Sequence, residues 1–203
     1  QLVAETEAIS DETIATAFRA FLDENYAVDM ERYPQTASYR GMKANQGKWN
    51  SAAESFRQET RVINETRLQQ LAEFDRAALN TADQLSYDLY KLGLERALIS
   101  DDFRYHRFVI HQHRGPHTSV ASSLINILRV NELKDAQDYI ARLNGVGIWF
   151  DQVIEQMEIR TRENFLLADW QYPPIIESSK NVITGAPYDE SGEDSTLWAD
   201  FKA

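Results

Sequence analysis

Four histidines, the only ones in the 203-residue chain, fall within one short stretch: His106, His111, His113 and His117. Imidazole ligates metals and moves protons near neutral pH, so this is where chemistry is to be sought first. His111-Gln-His113 places two rings on one face if the backbone is extended. A catalytic zinc site, however, needs three protein ligands, and no Cys and no His-Glu pair supplies the third. Three readings stay open: a polar loop whose rings bond neighbouring groups, a substrate-facing loop lending one or two histidines to a cleft, and a metal site built on His111, His113 and His117. The pattern favours a polar surface lining a cleft over a finished active site. No metal ligand set and no catalytic residue is assigned within this chain.

Carboxylates are numerous but undirected. Asp75, Asp83, Asp88, Glu95, Asp101 and Asp102 surround one helical segment, where most are expected to be solvated or paired with Arg. Asp88 and Glu95, seven apart, share a helix face. There is no Gly-rich phosphate loop, no Gly-x-Ser-x-Gly elbow and no Cys nucleophile.

Composition narrows the partners. A formal charge of −11 disfavours nucleic acid, which calls for clustered Lys and Arg. The same charge is unpromising for an anionic membrane surface. At 43% hydrophobic residues the chain can build a real core. Zero cysteines exclude disulfides and thiolate metal sites. No apolar run approaches the roughly 20 residues that span a bilayer. The chain begins at Gln1 rather than Met, which predicts that something upstream was removed.

The elements that must position the histidines are helical nearly throughout, and the fold class is mainly α: a multi-helix array with at most a short strand or hairpin near residues 103–112. Ser10-Asp11-Glu12 opens a helix with Ile14, Phe18, Phe21 and Leu22 on its apolar face, ended by Tyr33-Pro34. A polar connection over 35–50 follows. Ser51-Ala-Ala-Glu54 reads as a capping box for a helix running to about Ala78, with a thin seam of Phe56, Ile63, Leu71 and Phe74. Thr81-Ala-Asp-Gln84 is a second box. Its helix carries Leu85, Leu89, Leu92 and Ile99 on one face, and Tyr87, Tyr90, Leu94 and Leu98 on others, which predicts a central helix buried on several sides. Residues 103–110 read as extended.

After Gly115-Pro116, Thr118 or Ser119 is expected to cap a helix with Val120, Leu124, Ile127 and Leu128 inward. Asp135 opens another with Ala136, Tyr139, Ile140 and Leu143 inward, and a longer one over 146–167 buries Trp149, Phe150, Val153, Ile154 and Met157. Residues 169–194 read as a loop holding at most a short helix. Ser195 or Thr196 caps a last helix of under two turns. Its Trp198 and Phe201 are expected to face a partner outside this chain, so that 1–203 reads as one helical region at the N-terminal end of a longer protein.

Four segments in order resemble a known family: Asp83-Gln-Leu-Ser-Tyr-Asp-Leu-Tyr-Lys-Leu-Gly-Leu-Glu95, Gln112-His-Arg-Gly-Pro-His117, Asp135-Ala-Gln-Asp-Tyr-Ile-Ala-Arg-Leu143, and Pro173-Pro-Ile-Ile-Glu-Ser-Ser-Lys-Asn-Val-Ile183. From about Tyr33 to Ile183 the chain is similar to the N-terminal part of a large bacterial family, a domain of unknown function. Its members are longer helical proteins, often described as lipoproteins, that look like distant relatives of zinc carboxypeptidases. The resemblance implies a helical half-shell walling a deep cleft, zinc and a peptide substrate in the full-length protein, contact with the missing C-terminal portion, and a periplasmic or outer-membrane-anchored location through a lipid anchor upstream of Gln1. That family's His-Glu helix and second His have no counterpart here, so this chain alone is expected to be inactive and to hold no zinc. Gln112, His113, Gly115 and His117 are the candidates for facing substrate. The alternative is a non-catalytic helical binding or scaffold module of the cell envelope.

Overall fold

The structure, a computed structural model, describes residues 11–202. It is mainly α, as expected, and no strand is present among the described residues. The helices are α1 (Asp11–Arg32), α2 (Pro34–Tyr39), α3 (Glu54–Ala72), α4 (Thr81–Asp102), α5 (Pro116–Asn126), α6 (Leu133–Asn144), α7 (Val146–Arg162), α8 (Tyr172–Val182) and α9 (Thr196–Lys202). Single 3₁₀ turns lie at Arg76–Ala78, Arg104–His106 and Asp169–Gln171. No described helix is long and apolar enough to cross a membrane. The described residues divide into two compact units, one of 11–29 and 57–104, the other of 30–56 and 105–202.

In the first unit the 3-to-4 spacing on α1 does what periodicity predicts. Phe18 is fully buried and sits with Ala15, Leu71 and Leu79, flanked by Phe21, Phe74, Tyr87 and Tyr90. Phe18 meets the Phe74 ring edge-on at 5.6 Å and Tyr87 at 6.1 Å, separations at which aromatic quadrupoles attract. Arg67, almost wholly buried, donates to Asp29 at 2.8 Å and to the Asn25 carbonyl at 3.2 Å. The Ser10 start of α1 lies outside the described residues.

Two expectations are corrected here. α3 starts at Glu54 rather than Ser51 and stops at Ala72. The Ser51 hydroxyl accepts from Ala53 N–H at 3.3 Å, and the Arg76–Ala78 turn is separate, capped by Asp75. α4 is not buried on several sides. Tyr87, Tyr90 and Leu94 turn inward, whereas Leu85, Leu89, Leu92 and Ile99 stay exposed. Its cap is Asn80, whose side chain accepts from the N–H groups of Ala82 and Asp83. Gln84 meanwhile reaches back to the Leu79 carbonyl.

The second unit gathers Val120, Leu124, Leu128 and Tyr139 with Trp49, Val146, Trp149, Phe150 and Leu197. Trp49 stacks on Trp149 at 5.3 Å, and both indole N–H groups find carbonyls, those of Arg142 and Asn50. α6 opens with a capping box of Glu132 and Asp135. Asp135 is buried yet satisfied: it accepts from Lys43 Nζ at 2.7 Å and from the backbone N–H of Asn131 and Glu132, and Lys43 holds its carboxyl below the usual range. On α6 and α7 the inward set is narrower than expected, because Ile140, Leu143, Ile154 and Met157 are exposed while Tyr139 and Val153 are buried. α9 finds part of its partner within the chain, through Leu197 in the core and Phe201 at 6.3 Å from Tyr139. Within 169–194, expected to be loop with at most a short helix, Pro173 and Pro174 lie in the first turn of the 11-residue α8. Their missing N–H groups cost nothing there.

Candidate functional site

The histidine loop is built by two interruptions. α4 ends at Asp102, and the stretch expected to be extended makes the 3₁₀ turn Arg104–His106 instead. His111 and Arg114 then exchange backbone hydrogen bonds, each 3.1 Å, closing a tight turn with Gln112 and His113 at its tip. Gly115 caps α5 from an extended backbone and Pro116 takes its first position, so the helix starts two residues earlier than Thr118. Proline is pre-set for that place, and this displaces the expected cap.

The loop separates its histidines by burial. His113 is exposed. The Gln112 amide nitrogen lies 3.0 Å from its Nε2, which accepts in the Nδ1-protonated tautomer. The backbone N–H of His113 donates to Nδ1 of His111 at 3.3 Å, and the two rings stand 6.2 Å apart. His106 goes elsewhere, against the edge of Phe165 at 4.9 Å. His117 is 7% exposed, and neither ring nitrogen has a hydrogen-bond partner. Burial, with a smaller contribution from His111, pushes its pKa down and keeps it neutral.

Gly115 makes this packing fit. A Cβ there would sit 3.0 Å from His117 Nδ1, 3.0 Å from Ile110 Cγ1 and 3.1 Å from Ile110 Cα. Its backbone is extended and unstrained, so contact alone demands glycine. Gly115→Ala is expected to cost about 1–2 kcal/mol by overpacking and to shift the His113 and His117 NMR resonances. Unchanged resonances and stability would contradict it.

Among the described residues no three His, Asp or Glu side chains gather around one point. The six carboxylates are committed too. Asp88 holds Arg76 with both oxygens, Asp83 holds Arg19 and Asn80, and Asp101 takes Arg57 and Arg61. Asp102 pairs with Arg61, Asp75 caps its turn, and Glu95 lies 3.8 Å from Lys91. Asp88 and Glu95 thus face different cations, Arg76 and Lys91.

What the loop adjoins is a small hollow of about 100 Å³, lined by Phe108, Val109, Ile110, Met157, Arg160 and Phe165 among others. Arg160 closes one side by donating to the Arg107 carbonyl at 3.0 Å. Sequence reasoning missed Arg142, which is fully buried. It donates to Ser38 Oγ at 3.0 Å and lies 5.5 Å from the Trp49 ring, and burial lowers its pKa to about 10. The signal was present in the spacing Asp135, Tyr139, Arg142, which puts all three on one helix face.

An all-helical body presenting a histidine-bearing turn is the class that fold and loop define. The model of a family described as "Bacterial protein of unknown function (DUF885)" matches residues 34–203, and the chain belongs to that family. No curated protein and no solved structure matches it.

Proposed function

We propose that this chain supplies one wall of the substrate cleft of a zinc-dependent, carboxypeptidase-like protein of the bacterial envelope, with the Gln112–His117 turn meeting peptide. The observation that carries the reading is the exposed His113 ring, oriented by Gln112 on a closed turn beside an apolar hollow. An exposed imidazole and an amide offer a donor and an acceptor to a peptide backbone, and the hollow offers a place for an apolar side chain. His117 and Gly115 act beneath, as packing that fixes the turn. Zinc, its ligands and the general base belong in this reading to the C-terminal portion of the full-length protein, and an upstream lipid anchor to its periplasmic or outer-membrane placement. The role assigned here is recognition, and no chemical step is routed through these residues.

The test uses the 203-residue chain with an unstructured apolar tetrapeptide followed by NMR, alongside metal analysis after dialysis against zinc. The expected result is no stoichiometric zinc, no hydrolysis, and peptide shifts confined to Gln112, His113, Gly115 and the hollow. His113→Ala should weaken binding by about two- to tenfold, the worth of one hydrogen bond. Tight zinc binding by this chain, or peptide shifts elsewhere only, would overturn the proposal.

A scaffold module is favoured by one observation, the exposed Leu85, Leu89, Leu92 and Ile99 face of α4, whose contiguous apolar surface suits a protein contact. Absence of any peptide effect at the histidine turn would select it.

A further inference from the structure

The outer side of α4 carries an order that reads alike in both directions. Leu85, Leu89, Leu92, Arg96 and Ile99 follow one another at spacings of 4, 3, 4 and 3, the repeat by which one helix lies along another. Leu85, Leu89 and Ile99 are each more than half exposed, and Leu92 is 40% exposed. The contacts inside the chain are made from a different face, by Tyr87, Tyr90 and Leu94.

Two features of this stripe have no use within the chain. Gly93 stands in the helix interior, where glycine weakens the helix, and a Cβ there would meet nothing within 4 Å. Arg96 is exposed and makes no ion pair among the described residues. The acidic edge of the stripe is already neutralised, because Asp88 holds Arg76 and Glu95 lies 3.8 Å from Lys91.

Both features are accounted for if the stripe meets a copy of itself running the other way. Leu85 and Ile99 lie seven residues either side of Leu92, and Asp88 and Arg96 lie four either side. In an antiparallel pair centred on Leu92, residues equally far from the centre meet. Leu85 then packs on Ile99 of the second copy, and Leu92 packs on its own counterpart. Arg96 comes beside Asp88, a half-exposed carboxylate with lone pairs to spare beyond those Arg76 uses. Gly93 lies next to the axis and leaves room for the two backbones to close. A parallel pair in register would instead bring the two Arg96 guanidinium groups together.

We propose that two copies of this chain pair through α4, antiparallel and two-fold about Leu92, with Arg96 of each reaching Asp88 of the other. A single helix face offers less than the roughly 800 Å² per partner of a stable interface, so the pairing is weak and expected at high-micromolar concentration. It is separate from the histidine turn, and its failure would leave the peptide reading as it stands.

The chain has no cysteine, so single substitutions report the geometry cleanly. Under mild oxidation, Leu92→Cys is expected to give a disulfide-linked dimer. Leu85→Cys alone should not, because a rise of about 1.5 Å per residue sets its two copies roughly 21 Å apart, and a disulfide spans no more than about 7 Å between Cα atoms. Mixed with Ile99→Cys, it should cross-link. Sedimentation of the unsubstituted chain at rising concentration should show a monomer–dimer equilibrium. Leu92→Glu, on a face where folding is not at stake, should abolish it with unchanged helical circular dichroism. Arg96→Glu should weaken the dimer about tenfold, and adding Asp88→Lys should recover most of that loss. A chain that stays monomeric to millimolar concentration would overturn the proposal. So would Leu85→Cys cross-linking as readily alone as with Ile99→Cys, or a charge swap no better than Arg96→Glu by itself.

Discussion

Phe18→Ala is expected to remove about 3–5 kcal/mol from the unfolding free energy measured in urea, the largest single loss anticipated in this chain. The side chain is fully buried between α1, the end of α3 and α4, touching Leu71, Leu79 and the rings of Phe74 and Tyr87. Its removal forfeits both the transfer of a large apolar group from water and the ring contacts that nothing adjacent can replace. Collapse is hindered because neighbouring Phe21 is itself held by Phe74 at 5.4 Å and Tyr90 at 5.9 Å. Phe18→Leu, which keeps much of the volume, should recover at least half the loss. Val62→Ala, on the open side of α3, should change stability by no more than about 0.5 kcal/mol. A Phe18→Ala cost no larger than that of Val62→Ala would show that this cluster is not the core of its unit.

The second large effect is an acid sensitivity traced to His117. Its folded-state pKa lies below the ordinary 6.5, so the unfolded chain binds this proton more readily than the folded one. Stability from keeping it neutral is complete above 6.5 and falls as pH drops below that value, with a slope of up to about 1.4 kcal/mol per pH unit until the depressed pKa is reached. The carboxylates of Asp83, Asp88, Asp101, Asp135 and Asp189 are also held below their ordinary 3.8, and they add acid sensitivity only beneath that pH. The two windows separate. His117→Leu removes two unpartnered buried nitrogens and should flatten the loss of stability that begins below pH 6.5, while leaving the steeper acid limb of the carboxylates. An identical slope in variant and parent would locate the sensitivity elsewhere.

Much of the architecture is legible in the sequence because it rests on local rules. Periodicity on α1 finds Phe18, and the 118–128 pattern finds Val120, Leu124 and Leu128. What local rules miss is which of several adjacent candidates wins. Asn80, Thr81 and Asp83 all suit a helix start, and tertiary placement selects Asn80. Pro116, Pro173 and Pro174 look like breakers but act as initiators, since a proline at the first turn forfeits no bond. For α4, eight apolar residues on more than one face cannot reveal which face meets Phe18.

The site shows the same division. The histidine cluster is visible in the residue order. The burial of His117 against exposed His113 depends on Gly115 and Pro116 setting the angle at which the turn enters α5.

The tryptophans carry a practical consequence. Trp49, Trp149, Trp170 and Trp198 all belong to the unit of residues 30–56 and 105–202, and among the described residues the other unit has only Tyr26, Tyr87 and Tyr90 as its phenols. Emission excited at the red edge of the aromatic band therefore reads that unit and not the other. Helical ellipticity reads both units. Recorded together during one titration, the two signals assign a melting or ligand effect to its half of the chain with no label introduced.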